Sequence, residues 1–248
     1  MIGKIIPALS KFSHRIIKLP RLKRAKVLEC KILASNFHFF SFQAEKPLHF
    51  LPGQYISVKV DNKNLRSYSI AIKEGDKEFS LLVDTSPGGP GSKFFENLKK
   101  GEEILFLGPF GTFTLKMRDK AKKLVFLGTG SGCAPLRCQI EAALKEKNPE
   151  IEMYLYHGLT YPKDLFWQDV FQNLAKEHSN FHYKVVIWKS DKSWWGETGF
   201  ITQALEKELT NGKEIAAYLC GNKEMIADAT KILREKGCPK RRIYTEKY

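Results

Sequence analysis

Acidic residues are scarce in this 248-residue chain: 27 Asp and Glu stand against 41 Lys and Arg, a formal net charge of +14. Such an imbalance attracts acidic partners and is screened by salt, but does not name the partner. Nucleic acid is excluded on motif grounds, because zinc-finger spacing, an RNP-type aromatic string and a basic region followed by heptads are all missing. Long hydrophobic runs are missing too. None approaches the ~18 residues of a spanning helix, and the first residues carry no small-residue cleavage site, so a cytoplasmic protein is expected. Cysteine is sparse: Cys30, Cys133, Cys138, Cys220 and Cys238 are odd in number and hold no C-x-x-C pair, which argues against a disulfide framework. Cys133 and Cys138 have the spacing that begins a plant-type 2Fe–2S ligand set, yet the further C-x-x-C is lacking, so neither a cluster nor any other metal is expected. The chain has no internal repeat and no low-complexity segment.

What is present is ample for folding, since 43% of the residues are hydrophobic. Residues 1–26 contain eight Lys or Arg and no acid, with Ile2, Ile5, Ile6, Leu9, Phe12, Ile16, Ile17 and Leu19 near helical spacing. Pro7 suits a first turn and Pro20 a stop. Two readings stand: a basic amphipathic helix making peripheral contact with the inner membrane surface or an acidic partner, or a helix packed on the body. A targeting presequence is a third.

From about residue 25 to 117 the chain breaks into short alternating runs, "AKVLECKIL", "FHFFSFQA", "QYISVKV", "RSYSIAI", "EFSLLVD" and "EILFL", divided by turn chemistry such as "LPGQ" and "PGGPG". Six strands with one helical insertion, "GSKFFENLKKG", predict an antiparallel barrel or sandwich. Beyond the basic residues Arg118 to Lys123 the period changes. "KLVFLG", "IEMYLYHG", "YKVVIW", "IAAYLCG" and "RIYTEK" read as buried strands, with helices predicted over 134–147, 163–178, 199–209 and 223–236. Residues 118–248 are therefore expected to form an α/β unit on a mostly parallel, Rossmann-like sheet, preceded by the basic segment 1–24 and the β unit 25–117.

The strongest local signal is "FLGTGSGCAPL", Phe126 to Leu136. A buried strand enters a glycine-rich turn and then a helix, the arrangement in which backbone N–H groups face a pyrophosphate. Gly128, Gly130 and Gly132 permit close approach, and Pro135 sits where a helix start tolerates proline. Pro135 near the third small position, and a motif that opens the second unit, both depart from the standard dinucleotide fingerprint.

"RSYS", "GGPGS", "GPFG", "GTGSGCAP", "CGNKEM" and the closing "TEKY" occur in an order and spacing that resembles the ferredoxin:NADP reductase superfamily. The resemblance runs from about residue 25 to the end. It implies a Greek-key antiparallel β-barrel that binds FAD, followed by the α/β domain that binds NADH or NADPH. It also implies site residues. Arg66 pairs with the flavin nucleotide phosphate, Tyr68 packs on the isoalloxazine, and Ser67 and Ser69 complete the strand, with Ser69 near flavin N5. Gly89, Gly91 and Ser92 start the helix that faces the FAD pyrophosphate. Thr129, Gly130, Ser131, Gly132 and Pro135 form the nicotinamide-dinucleotide loop, and Cys220 with Gly221 lies against the nicotinamide. Glu246 sits near the active site, and Tyr248 covers the flavin until nicotinamide displaces it. "GPFG" is expected to shape the barrel's last turn. After "YKVVIW" stands "KSDKS" where NADPH-preferring members carry Ser-Arg; Lys189 and Lys192 offer charge and Asp191 a ribose acceptor. The implied activity is hydride exchange between nicotinamide and FAD, with single electrons passing to or from a separate acidic carrier of ferredoxin or flavodoxin type. The alternatives are an NAD(P)H reductase held at a membrane surface through residues 1–26 and, behind it, a flavin-binding redox-sensing subunit without catalysis.

Overall fold

The computed structural model describes residues 21–73, 75–116 and 121–247, so the predicted amphipathic segment lies almost wholly outside it. Beyond the Pro20 stop, Lys23, Arg24 and Lys26 belong to the first strand, where Arg24 pairs with Glu103 at 3.3 Å.

The alternating runs fold as β1 (Lys23–Ala34), β2 (Phe37–Ala44), β3 (Tyr55–Lys59), β4 (Leu65–Lys73) and β5 (Glu78–Asp84), then helix α1 (Pro90–Asn97) and β6 (Glu103–Phe110). They close an antiparallel barrel in the order β1-β2-β5-β4-β3-β6, with β6 returning to β1. Closure removes the exposed edges that an open sheet would leave. Period-two alternation sends Phe40, Phe42, Ile56, Val58, Ile70, Phe79, Leu81 and Phe106 inward, and Phe95 of α1 joins them as a plug. "GPFG" departs from expectation: Gly108, Pro109 and Phe110 extend β6, through a cis Gly108–Pro109 bond.

The second half is a six-stranded parallel sheet. β7 (Lys123–Thr129) leads through a 3-10 turn, Gly130–Gly132, into α2 (Cys133–Lys145). There follow β8 (Glu152–Leu159), α3 (Gln168–Glu177), β9 (Phe181–Ile187), β10 (Glu197–Thr198), α4 (Ile201–Glu208), β11 (Ile215–Gly221), α5 (Lys223–Glu235) and β12 (Ile243–Lys247). The order β10-β9-β8-β7-β11-β12 reverses direction at β7 and β11, a topological switch point at the carboxyl ends of the strands. The two-residue edge strand β10 was not legible in "WWGETG". The helix predicted over 163–178 is interrupted: Pro162–Asp164 forms one 3-10 turn, Trp167 takes a left-handed conformation (φ 55°), and α3 starts only after it. Burial of Phe166 and Trp167 against the sheet outweighs the helical period there.

One helix joins the halves. The core under α2 includes Ala71 and Leu82 of the barrel, so it is continuous between the two units. Fully buried Gln139 donates from Nε2 to the carbonyl of Phe113 at 2.7 Å. The hydroxyl of Tyr218 accepts from the backbone N–H of Lys116 at 2.9 Å.

Candidate functional site

Strand pairing brings the predicted residues together. Cys220 on β11 is paired with Gly128 on β7 and with Glu246 on β12, and Gly128 with His157 on β8. Side chains of paired neighbours share a face of the sheet. Glu246, Cys220, the bare position of Gly128 and His157 therefore form one row at the barrel side of the sheet. From the barrel, the hydroxyl of Ser69 donates to Glu246 Oε2 at 3.1 Å. Ser69 is buried and Glu246 half-buried, and this burial lifts the Glu246 carboxyl above the usual range while the Ser69 hydrogen bond opposes the rise.

Gly128 is bare for a reason. A methyl there would stand 2.7 Å from the Cys133 sulfur, which fills the space beside Cys220. Burial pushes the Cys133 thiol well up, so it serves packing. A Cβ on Gly132 would run into the carbonyl of Cys220, and one on Gly221 into the hydroxyl of Thr129. Thr129 Oγ1 in turn accepts the N–H of Asn222 at 3.3 Å, tying the ends of β7 and β11. Ser131 lies in the 3-10 turn and Pro135 in the first turn of α2. His157 completes the row. Its environment of Phe166, Phe171 and the Tyr183 hydroxyl (3.3 Å) pulls its pKa down to about 3, so it is neutral.

On the barrel, Arg66 is exposed, and its guanidinium donates to the carbonyl of Leu65 at 2.9 Å without an ion pair among the described residues. Tyr68 packs edge-on against Phe95 at 4.7 Å, and burial raises its pKa to about 12. Ser67 shares a hydrogen bond with Ser57 at 3.1 Å. The start of α1 abuts this strand. A Cβ on Gly91 would collide with the Tyr68 hydroxyl and come within 3.3 Å of Arg66, so "GGPGS" and "RSYS" form one surface, with Gly89 as the helix N-cap and Ser92 buried in the first turn. An unpaired guanidinium, a flat half-buried ring and the exposed backbone donors of a helix start fit a flavin dinucleotide. "GPFG" does reach this site, because a Cβ on Gly111 would lie 3.0 Å from Tyr55 and 3.9 Å from Glu246. Tyr55 was not anticipated; a lone aromatic opening a strand carries no signal.

The glycine-rich turn opens on a cleft of about 490 Å³ whose lining includes Phe37, Asp84, Thr129, Gly130, Asp164, Trp188, Phe200, Glu224 and Asp228. Of the residues after β9, Asp191 accepts from the backbone N–H of Ser193 at 2.8 Å and from its hydroxyl, and so holds its own turn. Both bonds fall on Oδ1, and Asp191 lies outside the cleft lining. Lys192 is outside the lining, and Tyr248 is outside the described residues.

A barrel joined to a switch-point sheet, each with a glycine-rich turn that opens a helix, defines a two-unit fold suited to dinucleotides. The sequence matches the model of the oxidoreductase FAD-binding domain over residues 24–115 and that of the oxidoreductase NAD-binding domain over 126–231. The chain belongs to the ferredoxin reductase family. It is 32% identical over 203 residues to the toluate 1,2-dioxygenase electron transfer component of Pseudomonas putida, covering 81% of this chain and 59% of that one. With the aromatic O-demethylase reductase subunit of Amycolatopsis it shares 31% identity over 231 residues, 90% of this chain and 68% of that one. The crystal structure of the Amycolatopsis cytochrome P450 reductase GcoB superimposes with a TM-score of 0.84 at 31% identity, over 92% of this chain and 69% of that one. The chain thus spans about three fifths of the first of these relatives.

Proposed function

We propose that this protein is an FAD-dependent NAD(P)H oxidoreductase that exchanges single electrons with a separate acidic carrier. The observation that carries the reading is the bond from Ser69 of the barrel to Glu246 of the sheet, whose strand neighbour is Cys220. Bound FAD supplies the conversion between a two-electron hydride and one-electron steps.

The chain's own residues bind and orient. Arg66 offers a fork to the flavin phosphate, while Gly89, Gly91 and Ser92 present backbone donors to its pyrophosphate. Tyr68 gives a rigid face against which the ring packs. Thr129, Gly130, Ser131, Gly132 and Pro135 receive the nicotinamide dinucleotide, and Cys220 with Gly221 sets the depth of its ring. Ser69 and Glu246 hold a polar, partly dry environment where the rings meet; no general acid or base is required. The relatives named for dioxygenase and demethylase systems, with the +14 charge, favour an acidic electron carrier as partner.

The test is an anaerobic titration of the FAD-loaded protein with NADH and with NADPH, read at the flavin's visible band. Bleaching at about one equivalent is expected. A flavin-loaded protein that neither dinucleotide bleaches contradicts the reading. Carrier reduction is expected to slow as ionic strength rises, and a rate indifferent to salt removes the acidic partner.

A further inference from the structure

The barrel has a second apolar side. Along β3 and β6 the inward residues Ile56, Val58, Ile104 and Phe106 are buried, so alternation sends Tyr55, Ser57, Lys59, Leu105 and Leu107 outward. Register sets these outward residues beside others: Ser57 is paired with Ser67 and with Leu107, Lys59 with Leu65, Arg24 with Leu105, and Tyr55 with Ser69 and with Phe110. The outer face of such a sheet is ordinarily polar. Here Leu22, Leu65 and Phe110 are 45%, 44% and 37% exposed, Leu105 and Leu107 are half-buried, and none of the five joins a hydrophobic core among the described residues. On the other side of the barrel the outward pair Phe39 and Leu82 is covered by the core under α2. A contiguous uncovered patch, unlike one stray leucine, marks a surface that receives something.

The chain itself supplies a match. Leu22 lies two residues before Arg24, so residues 1–20 lead directly into the edge of this face. Their apolar positions Ile2, Ile5, Ile6, Leu9, Phe12, Ile16 and Leu19 keep near-helical spacing, whereas Lys4, Lys11, Arg15 and Lys18 stand at i, i+7, i+11 and i+14. On a 3.6-residue period the two sets fall on opposite sides. Twenty residues at helical rise reach about 30 Å, and β1, β6, β3 and β4 together are about 15 Å across, so the length suffices. Charge sets the orientation: the face carries Arg24 and Lys59, with Glu103 already paired to Arg24, so the cations of the segment belong on the water side. Attachment at Leu22 gives the segment an effective concentration of about millimolar at this face, which a separate partner has to exceed.

We propose that residues 1–20 occupy this face, laid across β1, β6, β3 and β4 with their apolar side inward, so that the chain covers its own barrel up to the edge of the Ser69–Glu246 site.

The experiment measures access to the middle of the face in the full chain. Ser57→Cys is placed in a Cys30→Ser background, which leaves only the four buried cysteines as other thiols, and the rate of labelling by a maleimide is followed. This chain is expected to react at least about tenfold more slowly than the same chain carrying Leu9→Ser/Phe12→Ser/Ile16→Ser, at a rate independent of protein concentration. Leu65→Ser, at an exposed position of the face itself, should speed labelling in the same direction. Equal rates in all three chains overturn the inference. Protection that grows with protein concentration assigns the face to a second copy, and protection gained only on adding an acidic ferredoxin assigns it to a carrier; either overturns it too. So does a full chain that floats with phosphatidylserine vesicles while position 57 is labelled at the unprotected rate, which gives the segment to lipid. The measurement uses neither dinucleotide, so its outcome is independent of the preceding reading.

Discussion

Ser69 and Glu246, 177 positions apart, meet in a 3.1 Å hydrogen bond that joins the barrel to the sheet. The bond sets a hydroxyl and a half-buried carboxyl beside Cys220 of the neighbouring strand and Gly111 of the barrel.

Replacing either partner is expected to slow anaerobic bleaching by NADH about tenfold to a hundredfold, the scale of a small misplacement of reacting groups. Ser69→Ala and Glu246→Gln should still purify with FAD. Stopped-flow absorbance at saturating NADH measures the rate; unchanged rates in both variants would remove the pair from the site.

The same carboxyl gives a pH dependence of stability. Burial raises its pKa above the ordinary 4.5 of a glutamate, so the native state holds the proton more tightly than the unfolded chain. As pH rises from about 4.5 through the native value, the unfolded chain releases its proton first and stability falls. Urea denaturation across that window should show the fall, and Glu246→Gln should lack it.

His157 works in the opposite sense. Its pKa is pulled down to about 3 by burial, from 6.5, so the unfolded chain binds the extra proton. Its contribution is complete above 6.5 and is lost toward pH 3, at up to about 1.4 kcal/mol per pH unit. His157→Gln should flatten the acid limb of a stability profile measured by denaturant titration.

Arg66 is exposed and makes no ion pair among the described residues, so its loss should leave the fold intact. A hydrogen bond to a charged phosphate contributes about 1.5–3 kcal/mol, and Arg66→Ala is expected to bind FAD roughly tenfold to a hundredfold more weakly. Fluorescence titration of apoprotein with FAD measures this. Arg66→Lys should recover part of the affinity, short of the bidentate geometry.

Gly132 and Gly89 provide a matched comparison. A methyl at Gly132 meets the backbone of Cys220, whereas one at Gly89 meets nothing within 4 Å. Gly132→Ala should lower the melting temperature by several degrees, while Gly89→Ala should cost at most about 1 kcal/mol. Differential scanning fluorimetry separates them.

The sequence revealed most where a motif is local. The six alternating runs, the strand–turn–helix at Phe126 to Leu136 and the Arg66 to Ser69 string each carry their structure in adjacent residues. What escaped it depends on distant partners. Cys133 filling the bare position of Gly128 is set by a helix folding back over a strand, and Phe37 reaches the nucleotide cleft only through barrel closure. The break at Trp167 has a similar cause: helical spacing predicts continuity, and tertiary burial of two aromatic rings overrides it.

Gln139 binds α2 to Phe113, across the sequence boundary between the two family-model regions. The boundary that is obvious along the chain is therefore not a boundary in space. Anyone exchanging the nucleotide-binding half for that of a relative would cut the peptide at about residue 120 and still sever this buried seam. A working chimera would need residues 133–144 to travel with the Gly53 and Phe113 surface they match, so the heritable cassette is larger than the domain.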